Sequence, residues 1–257
     1  MYNLNNIQQR KNSMRDYLKD IVEHTQALGC IDLIKIVGDD KSTTMDARSD
    51  DVSVIIKAEF KTKNPNFVGT FGMPNLTKLN TILNIPEYKE NAKIELLTQV
   101  KDGVTVPSGL HFENATGDFK NDYRFMSTEL INSKLESKKF KDVVWDVEFT
   151  PAQNALQRLK FQSGANSEET VFVARTDGTD LKFYFGDHSS HAGNFVFQSG
   201  ITGKLSKDWN WPIARVLSIL GLYGDKVMRF CDADGVADIT VDSGLIKYQY
   251  ILPAQRK

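Results

Sequence analysis

The reading of the fold turns on residues 212–253. They open with Pro212-Ile213-Ala214-Arg215-Val216-Leu217-Ser218-Ile219-Leu220, whose apolar residues recur at the spacing of a short amphipathic helix. Three β-rich runs follow, at 226–231, 236–242 and 245–252. Asp234-Gly235 and Ser243-Gly244 separate them. Asp-Gly between β-rich runs signals a hairpin, because glycine accepts the positive φ of a tight turn. The stretch therefore predicts a helix followed by a three-stranded meander.

The same order recurs earlier in the chain. Lys78-Leu79-Asn80-Thr81-Ile82-Leu83-Asn84-Ile85 repeats the pattern of residues 215–222, basic–apolar–x–x–Ile-Leu–x–apolar. Lys93-Ile94 answers Lys226-Val227, and Asp102-Gly103-Val104 answers Asp234-Gly235-Val236. Ser108-Gly109-Leu110 answers Ser243-Gly244-Leu245. The four pairs lie 132 to 137 positions apart. Four landmarks in one order at nearly one offset predict a duplicated domain.

Working outward, residues 13–28 read as a first helix, with Ser13 as N-cap, Asp16 three residues on and Gly29 as the stop. Strand signals follow at 31–37 and 52–60, separated by the polar segment 41–51, which carries Met45. Asn64-Pro65-Asn66 is a turn, and Pro74-Asn75 opens the helix that runs through Leu83. Strands are expected at 93–100, 104–112 and 122–126. Residues 129–143 have few apolar side chains and four lysines, which reads as a charged connector. The second half begins with a strand at 144–149 and a helix whose N-cap is Thr150, with Pro151 at its first position. Strands at 171–174, 181–185 and 195–197 lead back to the organising stretch. The expected organisation is a first domain at 1–128, a connector at 129–143 and a second domain at 144–257.

A chain of 257 residues can build two ordinary domains, and 40% hydrophobic with 25% charged residues is ordinary globular composition. No apolar run is long enough to span a membrane. The start, Met1-Tyr2-Asn3-Leu4-Asn5-Asn6, lacks the basic and apolar regions of a signal peptide, so a cytoplasmic location is expected. Two cysteines, Cys30 and Cys231, are too few for a disulfide framework or a cysteine metal site. His188 and His191 imitate ligand spacing but lie in a loop without further ligands, so no metal is expected. Asp232-Ala233-Asp234-Gly235 lacks the glutamate that closes a calcium loop. There is no phosphate-cradling glycine loop and no Gly-x-Ser-x-Gly elbow, and the carboxylates are scattered. No cofactor and no catalytic residue is expected.

Charge is nevertheless unevenly distributed. The net charge is −1, yet residues 151–163 hold Arg158 and Lys160 and no acid. Residues 71–85 hold Lys78 and no acid, and residues 200–224 hold Lys204, Lys207 and Arg215 against one acid, Asp208. Arg15 and Lys19 share a face of the first helix, diluted by Asp16, Asp20 and Glu23. Taken singly each is a solvated helix face; together they describe a surface that meets phosphates without reading bases.

These residues resemble the DNA polymerase sliding clamps of the proliferating-cell-nuclear-antigen type, including those of T-even-like phages. The likeness rests on Tyr17-Leu18-Lys19-Asp20-Ile21, on Thr44-Met45-Asp46 leading to Val52-Ser53-Val54, and on Met73-Pro74-Asn75-Leu76-Thr77 before Ile82-Leu83. It ends with Leu245-Ile246-Lys247-Tyr248-Gln249-Tyr250-Ile251-Leu252-Pro253. The resemblance implies an α+β chain of two similar clamp-fold domains, each with two helices packed on β-sheets. Three copies would close into a homotrimeric ring around duplex DNA, held non-specifically. It implies the DNA polymerase and a clamp loader as partners, with the host cytoplasm as location if the chain is viral. Head-to-tail contact would join residues 122–126 to residues 194–198 of the next copy, through Tyr123, Phe125, Phe195 and Phe197. Partners would dock on a pocket built from Met45, Val52, Phe140, Leu252 and Pro253. Met45 reads equally well as a small core filler. Two competing classes are a structural or scaffold protein with a duplicated β-rich architecture, and an enzyme whose site is spread over loops.

Overall fold

The computed structural model describes residues 13–101, 103–136, 143–186 and 191–255. Helix α1, Met14–His24, starts at a capping box: Ser13 accepts from the Asp16 backbone while the Asp16 side chain accepts from Ser13. A 3-10 turn, Gln26–Leu28, carries the chain to Gly29 in the left-handed region. Strands β1 Leu33–Gly38, β2 Thr43–Arg48, β3 Ile55–Phe60 and β4 Gly69–Pro74 follow. Helix α2, Leu76–Leu83, is capped by Asn75, whose side chain accepts from Lys78 N at 3.0 Å. Strands β5 Lys93–Lys101, β6 Val104–Glu113 and β7 Lys120–Arg124 complete the first half. A short helix, α3 Thr128–Lys134, precedes β8 Val147–Phe149.

The second half runs through α4 Gln153–Ala165, then β9 Val171–Asp177, β10 Asp180–Phe185, β11 Gly193–Gln198 and β12 Asn210–Pro212. It ends with α5 Ile213–Leu220, β13 Asp225–Cys231, β14 Val236–Asp242 and β15 Ile246–Pro253. Each half is thus a helix, four strands, a helix and three strands. The pairing repeats as well: β3-β2-β1-β4 has the order of β11-β10-β9-β12, and β5-β6-β7 that of β13-β14-β15.

Two strands of the first half were not anticipated. Residues 41–51 look polar, yet Thr43, Met45 and Ala47 face the core while Thr44, Asp46 and Arg48 alternate outward, which is β2. Pro74 ends β4, so it does not open a helix. The expected connector begins as α3, because Ser127 caps it and Ile131 is buried against β4 near Gly72. Thr150 does not cap α4. Ala152 is still extended, and the helix starts after it without a side-chain cap. Ser108-Gly109 is not the counterpart of Ser243-Gly244. It lies inside β6, where a side chain at Gly109 would come within 2.5 Å of the Tyr123 carbonyl oxygen. The other three landmarks fall on equivalent elements.

The two halves share one sheet. Its order is β4-β1-β2-β3-β15-β14-β13-β8, and the joint between halves is the antiparallel pair β3–β15, from Ile55↔Ile251 to Phe60↔Ile246. One face of this sheet and the buried sides of α1, α2, α4 and α5 form a continuous core. The other face carries Asp46, Lys57, Glu59, Arg229, Lys247 and Gln249.

A buried polar cluster fastens α1 to the second half. The Asp20 carboxylate accepts from Tyr248 Oη at 2.8 Å and from Ser243 Oγ at 3.0 Å. Burial pushes the Asp20 pKa up, and the Tyr248 hydrogen bond opposes that. His24 stacks on Tyr248 at 4.6 Å, and its Nε2 lies 2.9 Å from the Tyr223 carbonyl oxygen. Tyr250 Oη donates to the His24 carbonyl at 2.7 Å. Tyr248→Phe leaves a buried carboxylate one donor short, with an expected loss of about 1–3 kcal/mol. Urea unfolding by circular dichroism checks this; an unchanged midpoint would show that Ser243 alone satisfies Asp20.

Candidate nucleic-acid interface

The expected cations separate into three groups. Lys19 on α1, Lys78 on α2, and Arg158 and Lys160 on α4 are exposed on the helix layer. Lys19, Lys78 and Lys160 have no ion-pair partner among the described residues. Arg158 lies over the Phe195 ring, 5.3 Å from its centroid.

Arg15 and Arg215 are engaged within the chain. Arg15 is half-buried; its guanidinium donates to the carbonyl of Leu83 at 2.5 Å and to that of Tyr88. It thereby satisfies the last carbonyl of α2, which the helix itself cannot do, and ties it to the 3-10 turn Pro86–Tyr88 that follows. Desolvation lowers its pKa. Arg215 on α5 reaches Ser53 Oγ at 3.2 Å and Asp51 at 3.4 Å in the β2–β3 loop, tying the two halves. Hydrogen bonds from Ser49 and Ser53, with Arg215 nearby, hold Asp51 well below the usual carboxylate range.

Lys204 and Lys207 stand on no helix. They belong to the segment between β11 and β12, which folds onto the β13–β14 turn. Ser206 N and Lys207 N both donate to Asp232, and Lys207 Nζ bonds the Ala233 carbonyl at 3.0 Å. Trp209 packs against Gly235 in that turn, leaving no room for a Cβ. This is the end of the sheet where the chain closes, since Ala254 N donates to Gly235 O and Gln255 N to Asn210 O.

The interface aromatics point inward. Tyr123 is 2% exposed, Phe195 9% and Phe197 3%, and Phe125 stacks on Phe71 at 4.5 Å. Tyr123, Phe195 and Phe197 complete the chain's own core and Phe125 is partly buried against it, so these aromatics leave the backbone of their strands as what a neighbour would meet. That backbone is open: β7 pairs only with β6, and β11 only with β10, among the described residues.

The expected docking pocket is also rearranged. Met45 (1% exposed) and Leu252 (0%) face the inner core, the core-filler reading of Met45. Val52 is 42% exposed at φ 56, a strained setting for a β-branched residue. Pro253 is the last residue of β15, opposite Val236. Phe140 lies outside the described residues. The outward face instead carries a second, small buried cluster, Cys231, Val236 and Ile251, and only the half-buried Ile55, Val143 and Trp145 packed against it reach the surface. Trp145 lies over Arg229 at 4.5 Å, and Arg229 pairs with the buried Asp238. Ile251 was legible, as the one aliphatic side chain among Lys247 and Gln249 on that face of β15; Trp145 carried no such signal.

Metal ligands do not converge: among the described residues no three His, Cys, Asp or Glu side chains are placed to share an ion. His188 lies outside them. No described helix is long and apolar enough to cross a membrane.

No family model matches the chain, and no curated protein matches its sequence. Solved structures share its fold. The proliferating cell nuclear antigen of A. fulgidus, bound to the C-terminal region of FEN-1, superposes with a TM-score of 0.65 at 12% identity, covering 95% of this chain and 96% of that one. That of Thermococcus kodakaraensis gives 0.65 at 12% identity, covering 95% and 98%. That of Entamoeba histolytica gives 0.62 at 13%, covering 93% and 94%. The chain has the two-domain clamp fold.

Arg15→Ala is expected to remove about 1–2 kcal/mol of stability while leaving affinity for duplex DNA unchanged. Thermal unfolding and fluorescence anisotropy on a DNA duplex check the two halves of this expectation; weaker DNA binding in a fully stable variant would return Arg15 to the DNA-facing set.

Proposed function

We propose that the chain is a sliding clamp, a processivity factor whose copies close head to tail around duplex DNA. One observation carries the reading. The open edges β7 and β11 are the counterparts, in the repeat, of β15 and β3, which pair with each other inside the chain. The same joint can therefore form between copies, with backbone groups of each edge completing the other. The clamp fold supports this, and the family resemblance sets the number of copies at three. Lys120 and Arg124 on β7 would keep that edge from indiscriminate pairing.

Inside the ring, Lys19, Lys78, Arg158 and Lys160 would meet phosphates from helices rigidly held by the core. Such contacts are weak and carry no sequence information, so the duplex is free to move while closure prevents its escape. The chain would perform no chemistry of its own. The half-buried Ile55, Val143 and Trp145 on the outward face would receive a short apolar segment of the DNA polymerase, a clamp loader or another partner, since a few apolar anchors can supply most of an interface's affinity. A place in phage replication, in the host cytoplasm, belongs to the same proposal. A non-enzymatic scaffold with this architecture is the competing reading, distinguished by whether the copies enclose DNA.

Replacing Lys78, Arg158, Lys160 and Lys19 together by alanine is expected to shorten retention on nicked circular DNA at low salt, alike for any sequence. Linear DNA should lose the protein in either case. Retention equal to wild type would remove these residues from the interface. Trp145→Ala is expected to abolish polymerase stimulation with the assembly mass intact by light scattering. Full stimulation by this variant would place the partner elsewhere.

A further inference from the structure

Phe161 is 73% exposed on α4. It lies two residues, about 200°, around the helix from Leu159, which is in the core. Gln153, Asn154, Gln157, Arg158 and Lys160 make the rest of that exposed surface polar. A large aromatic side chain therefore stands exposed on an otherwise polar face.

The repeat identifies its setting. Leu18 and Val22 anchor α1 in the core as Ala155 and Leu159 anchor α4. In that register Phe161 occupies the place of His24. His24 is only 2% exposed, because the second half covers it through Tyr248 and the Tyr223 carbonyl. Tyr223 stands three residues beyond Leu220, the last residue of α5. The counterpart of α5 is α2, and three residues beyond its last residue, Leu83, stands Pro86. Pro86 is exposed, and Ile85 beside it is half-buried.

We infer that Phe161 packs against the Ile85–Pro86 segment of the adjoining copy, alongside the joint of β11 with β7. The inference rests on the head-to-tail reading and names the side chains of that joint that the chain itself leaves uncovered. Within the chain, the equivalent position is filled by an imidazole facing a backbone carbonyl. Between copies an aromatic ring meets a proline ring, a contact without a polar partner. It stabilises by removing apolar surface from water and is nearly indifferent to salt. Arg158, stacked on Phe195 of β11, borders it on the side of the open edge.

The test uses the full chain. Phe161→Cys and Pro86→Cys are made separately, purified and mixed, then treated with a short bis-maleimide. Wild type, whose Cys30 is half-buried and Cys231 buried, is the control. The expected result is a covalent dimer only in the mixture. Phe161→Ser should also weaken assembly about tenfold or more, as loss of one buried aromatic predicts, with no change in its salt dependence. An assembly of normal mass that yields no covalent dimer overturns the contact and leaves the ring reading standing. Intact assembly with weakened DNA binding in Phe161→Ser overturns it too, by assigning Phe161 to the DNA face. A wild-type chain that is monomeric at every concentration overturns the ring reading and this contact with it.

Discussion

The backbone ladder between β3 and β15 is the interaction on which the rest depends. It joins the four-stranded sheet of the first half to the three-stranded sheet of the second, with β8 at the far edge, and the helices pack with that sheet into one continuous core. Every buried N–H and C=O in such a sheet must be paired, so where a strand lies on the edge, its unpaired groups face water or another chain. The joint is reinforced from the helix layer by the Asp20–Tyr248–His24 cluster and by Arg215 reaching Asp51. Arg215 and Arg15 are occupied in this way and in closing α2, respectively.

The helix layer and the outward sheet face divide the molecule's contacts. The former presents isolated cations on rigid supports, suited to phosphates. The latter presents the half-buried Ile55, Val143 and Trp145 beside the ion pairs of Lys57 with Asp46 and of Arg229 with the fully buried Asp238. A buried carboxylate paired to arginine holds its neighbours in fixed geometry, because leaving either partner alone is strongly unfavourable.

Much of the fold was legible in the sequence because its signals are local. The Ser13–Asp16 box, the Asp-Gly turn before β14 and the amphipathic repeat of α2 and α5 need no tertiary context. What escaped was decided by partners distant in the chain. β2 alternates small and polar residues, and only its place between β1 and β3 makes it a strand. Ser108-Gly109 imitates a turn, yet the glycine serves close approach to β7. For the candidate site, local signals assign residues to elements but not the direction of their side chains. The helix lysines are exposed, but Met45, Leu252 and the four aromatics face inward because strand parity, which a one-residue shift reverses, sets the side. The cluster of Ile251 and Trp145 joins residues more than a hundred positions apart, and no local pattern announces it.

The repeat places one kind of joint in two thermodynamic settings. Between β3 and β15 the strands are tethered by one chain, so they meet at an effective concentration that dilution cannot lower. Any pairing of β7 with β11 of another copy is bimolecular and answers to protein concentration. Substitutions of equal local effect are therefore not of equal consequence: at the tethered joint they change the stability of a chain, and at the untethered one they change how many chains are joined. A tandem fusion of copies would convert the second case into the first.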